Sequence, residues 1–412
     1  MNTQLFSNQT LSQHYDAGPL LPHLDEFADV LLGQGYANYT TKRKLRDISE
    51  LGQWLQKRHI PIDELSEFCI NRFVRYRKKR NPSRRDVQST FKQFINFLRD
   101  NGVLSAFTPE IKDSEIQRIE NSFAKYLQQE RGLNQATLDN YLPTVRRLLT
   151  DRFGDRKIIF NELRPRDISA FIIRYTQTMS LSRVQLMATI LRSFFRFLHM
   201  RGETDIDLSG AIPTVPRWQF SKIPKFLQPE QVKRVLQGCD KNTAVGQRNY
   251  AILLLLARLG LRAGEIAYME LDDILRETGE LIVKGKSKRE EKLPLPHDVG
   301  QAIATYLQDV RPQCSSRRLF INLHAPLRGF SGSVAVSSIV RRALVRAGIN
   351  MDFKGAHLFR HTLATNMLRG GAAISEIGEI LRHQNPMTTE IYAKVDFKAL
   401  QAIALSWPRG DV

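Results

Sequence analysis

Cysteine is scarce in this chain. There are three among 412 residues, Cys69, Cys239 and Cys314, scattered and without the spacing of a metal site. That excludes a disulfide or zinc framework and fits a reducing cytoplasm. Long apolar runs are missing too. The longest, Ala251–Ala257, is far too short to span a bilayer, and the polar opening Met1–Asp16 does not read as a secretory signal. Acidic side chains are the third shortage: 42 Asp and Glu face 61 Lys and Arg, giving a formal net charge of +19 and a pI near 10.0. Such an excess calls for a polyanionic partner, nucleic acid first and an acidic membrane surface second. What is present is a 42% hydrophobic fraction, enough for sizeable cores, over a length that calls for two or three domains.

The pattern along the chain is mostly helical. Residues 1–22 read as a polar arm. From 23 to 105 apolar residues recur at helical spacing (Phe27, Val30, Leu31; Leu45, Ile48, Leu51, Leu55; Phe94, Phe97, Leu98), and Asp100-Asn101-Gly102 marks a helix end. A second helical domain, 114–205, echoes the first. Phe27-Ala28 corresponds to Phe123-Ala124, and Gly35 with Thr40 to Gly132 with Thr137. Phe94, Phe97-Leu98 and Gly102 return as Phe194, Phe197-Leu198 and Gly202, a hundred positions on. This predicts a duplicated small helical domain. A proline-bearing stretch, 206–225, reads as a linker, and a last domain spans 226–412. It opens with helices over Gln231–Gly238 and Arg248–Leu259. Two short strands follow, Leu281–Val283 and Lys292–Leu295, with a polar turn between them. Fold class is therefore mainly α with a small antiparallel β-sheet.

The cations cluster. Arg72, Arg75, Arg77, Lys78, Lys79, Arg80, Arg84 and Arg85 fall within fourteen positions, and the nearest acid is Asp86. A charge run is usually a solvated face, but so one-sided a run is expected to meet phosphates. Arg146-Arg147 and Arg341, Arg342 and Arg346 are weaker instances.

The last domain carries the chemistry. Arg262 and Glu265 stand at i, i+3, where the carboxylate can hold the guanidinium. His357 and Arg360 are again three apart, with Leu358, Phe359, Leu363 and Met367 to pack their helix. His383 follows a helix end at Leu381, Tyr392 lies nine positions later, and Thr388-Thr389 is a candidate N-cap for the helix bearing Tyr392. Singly, each has an ordinary structural explanation: a surface ion pair, a packed histidine, a half-buried tyrosine. Together, two arginines, two histidines, a lysine and a tyrosine suit a phosphate. Phosphoryl transfer asks a protein mainly to position groups and neutralise charge on non-bridging oxygens. A guanidinium binds two such oxygens and stays charged. A tyrosine hydroxyl can attack phosphorus if cations lower its pKa and an imidazole accepts a hydrogen bond. A lysine on a hairpin can protonate the leaving 5′ oxygen. No motif marks an acidic triad, which argues against metal-dependent transposases of the Asp-Asp-Glu kind.

Four runs carry a resemblance: Arg262-Ala263-Gly264-Glu265, Gly285-Lys286-Ser287-Lys288-Arg289, His357-Leu358-Phe359-Arg360-His361-Thr362, and Leu381-Arg382-His383 followed by Thr388-Thr389-Glu390-Ile391-Tyr392. In this order they resemble the signatures of the tyrosine recombinase (phage-integrase) family. Phe226-Leu227-Gln228-Pro229-Glu230 resembles the usual start of its catalytic domain. The resemblance implies SAM-like helical DNA-clamping domains ahead of an α+β catalytic domain. It also implies a catalytic set of Arg262, Lys286, His357, Arg360, His383 and Tyr392. The arginines would clamp the scissile phosphate, Lys286 would be the general acid with Lys288 its rival and a further DNA contact, and the histidines would assist at the phosphate. Tyr392 would form a 3′-phosphotyrosyl bond and Glu265 would be structural support. No cofactor, metal or ATP is implied. The partner would be double-stranded DNA, with four protomers on two paired sites passing through a Holliday junction, beside any partner recombinases or DNA-bending proteins. A cytoplasmic, nucleoid-associated location follows, with no membrane.

The chain departs from the pattern with Arg382 where Gly often precedes the histidine, with Asn249 where Asp often stands, and with two helical domains instead of one. The second domain tilts the role toward integration, excision or transposition of a mobile element, over chromosome or plasmid dimer resolution. A type IB topoisomerase and a non-catalytic DNA-binding regulator are the rivals; the filled catalytic set argues against the regulator. The tail Phe397–Trp407, apolar at helical spacing, suits a helix packed on a neighbouring subunit or on its own domain.

Overall fold

The computed structural model describes residues 15–80, 87–104, 114–154, 156–215, 224–285, 290–351 and 355–395. Among the described residues, three large hydrophobic cores and a small fourth one are built, each by a contiguous stretch of sequence.

The first bundle comprises α1 (Leu24–Gly33), α2 (Asn38–Gln56), α3 (Glu67–Arg80) and α4 (Val87–Asp100). Its apolar stripes face inward: Phe27, Ala28 and Leu31 from α1, Leu45, Ile48, Leu51 and Leu55 from α2, and Phe91, Phe94 and Leu98 from α4. The domain starts earlier than expected. Residues 17–22 belong to it and are not arm, because Ala17 and Leu20 are fully buried and a 3-10 turn, Gly18–His23, runs straight into α1. Gly52 on α2 permits this. A Cβ there would fall 1.9 Å from the Ala17 carbonyl oxygen.

The second bundle comprises α5 (Glu115–Gln129), α6 (Gln135–Phe153), α7 (Pro165–Thr176) and α8 (Leu181–Met200). Ser114 and Asn134 cap α5 and α6 by accepting from the Gln117 and Thr137 amides. The expected linker is shorter at its front. Leu208 and Ile212 are buried in this core, and Arg192 donates to the carbonyls of Ile212 and Pro213, so the bundle runs to about 213. The two bundles contain the same triangle of rings. Phe27 lies 5.0 Å from Phe94 and 5.2 Å from Phe97, at 73° and 50°. Phe123 lies 5.2 Å from both Phe194 and Phe197, at 73° and 49°.

The last domain holds α9 (Pro229–Gln237), α10 (Ala244–Leu259), α11 (Ala263–Tyr268), α12 (His297–Thr305), α13 (Ser333–Arg346), α14 (His357–Arg369), α15 (Ile374–Ile380) and α16 (Met387–Glu390). Helix α10 starts four residues before the expected point because the Thr243 hydroxyl caps the Gly246 amide. Its run Ala251–Leu256 is buried all round, at the centre of the core. The antiparallel sheet has three strands in the order β1 (Ile274–Leu275), β2 (Glu280–Lys284), β3 (Glu290–Pro294), pairing Ile274 with Leu281 and Leu281 with Leu293. Strands β2 and β3 match expectation to within two residues. Strand β1, two residues long, is too short to read from a pattern.

Candidate active site

Four segment ends meet at one site. Helix α10 stops at Gly260, left-handed at φ +57°. A Cβ there would come within 3.0 Å of Leu381 and Leu363, so the turn requires glycine for space as well as backbone shape. Two residues on, Arg262 is the N-cap of α11 and not, as the i, i+3 spacing suggests, a residue within it. The Glu265 carboxylate accepts the Arg262 amide at 2.7 Å and its Nη1 at 2.8 Å. The Arg262 side chain remains 38% exposed.

Helix α14 begins at His357. Arg360, one turn in, is almost fully buried. Its Nη1 donates to the Gly260 carbonyl at 2.7 Å and its Nη2 to the Leu381 carbonyl. Thr362 on the same helix donates to Leu358 at 2.7 Å and accepts the Leu227 amide at 2.9 Å, anchoring the start of the domain. After α15 the chain turns at Arg382, left-handed at φ +56°, and presents His383. The His383 Nδ1 meets the Thr389 hydroxyl at 2.7 Å. Thr389 therefore does not cap a helix bearing Tyr392. It sits inside α16, and Tyr392 follows in a 3-10 turn, Ile391–Val395. Tyr392 is 1% exposed, packed with Ala364, Ile377 and Leu381, and its hydroxyl lies 2.9 Å from the Nδ1 of His361.

Burial and the crowd of cations set the protonation states. Burial, then the charges of Arg262 and Arg382, brings Arg360 down to about 10, still charged at neutral pH. Burial, then His357 and Arg360, pushes His361 down to about 4. Burial and the neighbouring arginines do the same to His383, also to about 4. His357 is exposed on one side. The atoms packed behind it, then Arg360 and Arg262, hold it below the ordinary imidazole value. All three imidazoles are therefore neutral at pH 7. Burial raises Tyr392 to about 12 against the opposing pull of Arg360, so its hydroxyl keeps its proton while hydrogen-bonded to His361.

Of the residues singled out in the sequence, Arg262, Glu265, His357, Arg360, His383 and Tyr392 come together. Lys286 and Lys288 lie outside the described residues. The nearby Lys284 is committed to Asp273 at 2.7 Å. In the basic cluster Arg72, Arg75, Lys78 and Lys79 are exposed on α3. Arg77 is not available in that way: it pairs with Asp47 at 2.7 Å and Glu50 at 2.9 Å. Arg84 and Arg85 lie outside the described residues, as does the Arg80 side chain. Arg146 is likewise bound to the buried Glu120. Asn249 takes over the task of an acid neutrally, its amide oxygen accepting from Arg248 Nε and Nη2 at 3.2 and 3.0 Å.

His361 is the residue that sequence reasoning missed. It stands four positions after His357, and on a helix that spacing puts two imidazoles on one face. Their ring centroids are 6.3 Å apart.

A helical bundle ahead of an α+β domain, with guanidiniums, imidazoles and one buried tyrosine in a single pocket, defines a class: the tyrosine recombinases. Comparison with known proteins agrees. Residues 225–399 match the phage integrase family and residues 121–202 its N-terminal SAM-like domain. The integrase/recombinase y4rA of Sinorhizobium fredii (strain NBRC 101917 / NGR234) is 39% identical over 95% of both chains. Tyrosine recombinase XerC of Anoxybacillus flavithermus (strain DSM 21510 / WK1) is 29% identical over 70% of this chain and 97% of its own. The solved XerH site-specific recombinase, bound to its palindromic difH substrate after cleavage, shares the fold with a TM-score of 0.56. It is 19% identical over 74% of this chain and 92% of its own. This chain belongs to the phage integrase family.

Proposed function

We propose that this protein is a site-specific DNA recombinase that cuts and rejoins strands through a 3′-phosphotyrosyl intermediate on Tyr392, serving the integration, excision or transposition of a mobile element. The observation that carries the reading is the pairing of a buried tyrosine hydroxyl with a neutral imidazole, His361, beside Arg360 and Arg262. In the step proposed, the scissile phosphate sits on the open face of Arg262 and beside Arg360. Its negative charge raises the pKa of the nearby imidazoles, while the arginines favour the phenolate. The Tyr392 oxygen attacks phosphorus as its proton passes to His361. The bond from phosphorus to the 5′ oxygen breaks, and that oxygen takes a proton from Lys286, with Lys288 as its rival. His357 and His383 hydrogen-bond the phosphate. Phosphate-ester energy is kept in the tyrosyl linkage, so rejoining draws on no ATP, and the cations of the pocket supply the charge a metal would.

Lambda integrase has been solved as a tetramer on a Holliday junction. We extend that assembly to this chain, four protomers pairing two DNA sites. The first bundle, with the second bundle's ring triangle and with Arg72, Arg75, Lys78 and Lys79 exposed, is read as a second DNA-clamping domain. Chromosome or plasmid dimer resolution is the alternative role. A covalent-trapping assay tests the chemistry. Protein meets a nicked duplex drawn from sequence flanking its own gene, without magnesium, and the reaction is stopped with detergent. A 3′-linked adduct that is absent with Tyr392→Phe supports the reading. No adduct despite tight, salt-sensitive binding would turn it toward a regulator.

A further inference from the structure

Arg382 is a departure that carries a consequence. It is one of two non-glycine residues with positive φ among the described residues, at +56°, a conformation that glycine adopts freely and arginine does not. Its side chain folds back into the site. Nη2 donates to Glu265 Oε2 at 2.9 Å, and both side chains are only 5% exposed. The same carboxylate holds Arg262 by backbone amide and Nη1. From its other end Arg262 donates Nη2 to the Arg382 carbonyl at 3.3 Å. Arg382 Nε also lies 3.8 Å from Glu291 on β3, the strand leaving the hairpin tip.

We propose that Arg382 is a positioning residue for strand cleavage, acting through Glu265 on Arg262; this rests on the strand-transfer reading above. Two physical effects follow from the contacts. The first is orientation. Glu265, anchored by Arg382, cannot swing with Arg262, so the guanidinium presents one fixed face to the phosphate. The second is charge. Glu265 alone would neutralise Arg262, leaving Arg360 as the net positive group. Shared between two guanidiniums, its charge is already matched by Arg382, and Arg262 keeps its positive character for the developing charge on the phosphorane-like oxygens. The left-handed backbone is the cost of placing an arginine at this turn, where it can reach a carboxylate on α11 and a strand of the hairpin at once.

The variants Arg382→Gly and Arg382→Lys, alone and with Glu265→Gln, would be assayed for adduct formation on the nicked duplex at saturating DNA. Arg382→Gly relieves the backbone, so its thermal midpoint and its DNA affinity should stay near wild type while its cleavage rate falls roughly 10- to 100-fold. Arg382→Lys, which keeps the charge, should recover part of that rate. Within Glu265→Gln, Arg382→Gly should add little, because the route runs through the carboxylate. A methylphosphonate at the scissile position, which removes the negative charge Arg262 meets, should shrink the deficit. An Arg382→Gly rate equal to wild type, a rate loss that tracks lost folded protein, or a full multiplicative effect in Glu265→Gln would overturn the inference. Failure of the wild-type protein itself to form an adduct would overturn the strand-transfer reading, and this inference with it.

Discussion

Tyr392 is held protonated by its burial, and its hydroxyl is hydrogen-bonded to a histidine that burial keeps neutral. Replacing Tyr392 by Phe should abolish the covalent adduct and leave DNA affinity within about twofold, because the arginines that hold the phosphate stay in place; gel-shift titration beside the trapping assay checks both. His361→Ala removes the hydrogen-bond partner of the hydroxyl. It should slow adduct formation by about 10²- to 10⁴-fold, the range of a general acid–base group, with unchanged binding. The same imidazoles govern acid stability. His361 and His383 are depressed to about 4 in the folded protein against an ordinary value of 6.5. Between those limits the unfolded chain binds more protons, so this stability is fully present above about pH 6.5 and is lost as pH falls toward 4. Each contributes a slope of at most about 1.4 kcal/mol per pH unit. Urea midpoints measured from pH 7 to 5 should fall, and fall less in His361→Gln; an equal fall in that variant would refute the assignment. At this scale the residues that come together at the site were legible, since Arg262, His357, Arg360, His383 and Tyr392 stand in recognisable runs. Arg382 was legible only as an irregularity. Its value depends on a carboxylate 117 positions away in sequence.

Among the elements, the turn that closes α10 controls the site most directly. Gly260 gives its carbonyl to Arg360 and its left-handed backbone to the path into Arg262. Gly260→Ala should cost about 1–2 kcal/mol for the backbone alone. The crowding against Leu381 and Leu363 adds to that, and cleavage should fall with it as Arg360 shifts; thermal melting and the trapping assay give the two readouts. Helix identity followed from apolar spacing, and the β2–β3 hairpin from its alternation and polar turn. Boundaries were less legible where capping decides them, as Thr243 does for α10. The segment Ala17–Pro22 reads as arm in sequence because its covering role depends on the notch at Gly52, which no local pattern reveals. The aromatic triangles were visible as repeated phenylalanines. Phe94→Ala and Phe194→Ala should each cost about 3–5 kcal/mol. Similar losses in denaturant unfolding would fit equivalent structural roles.

For the whole molecule, the excess of 19 positive charges predicts binding that weakens steeply with salt. Replacing Arg72, Arg75, Lys78 and Lys79 together by Ala should lower the slope of log affinity against log salt by about 0.9 for each phosphate that these side chains neutralise. It should weaken binding to unrelated sequences as much as to the cognate site. An unchanged slope would remove α3 from the DNA interface. Composition made the polyanionic partner legible from the start. Which cations meet it was not, because Arg77 and Arg146 commit their charge to internal carboxylates that sequence distance conceals.

The seclusion of Tyr392 also bears on the safety of the host genome. A protein able to open DNA would be hazardous if its reactive oxygen were armed while the molecule diffused from one chance sequence to the next. Here the tyrosine is 1% exposed, its hydroxyl protonated and hydrogen-bonded to a partner too weak a base to ionise it. On the proposed chemistry, idle encounters with DNA would leave no breaks. Cutting would be restricted to the moment when a phosphate occupies the arginines, so that licence to cut would be issued by the DNA site and not by the abundance of the protein.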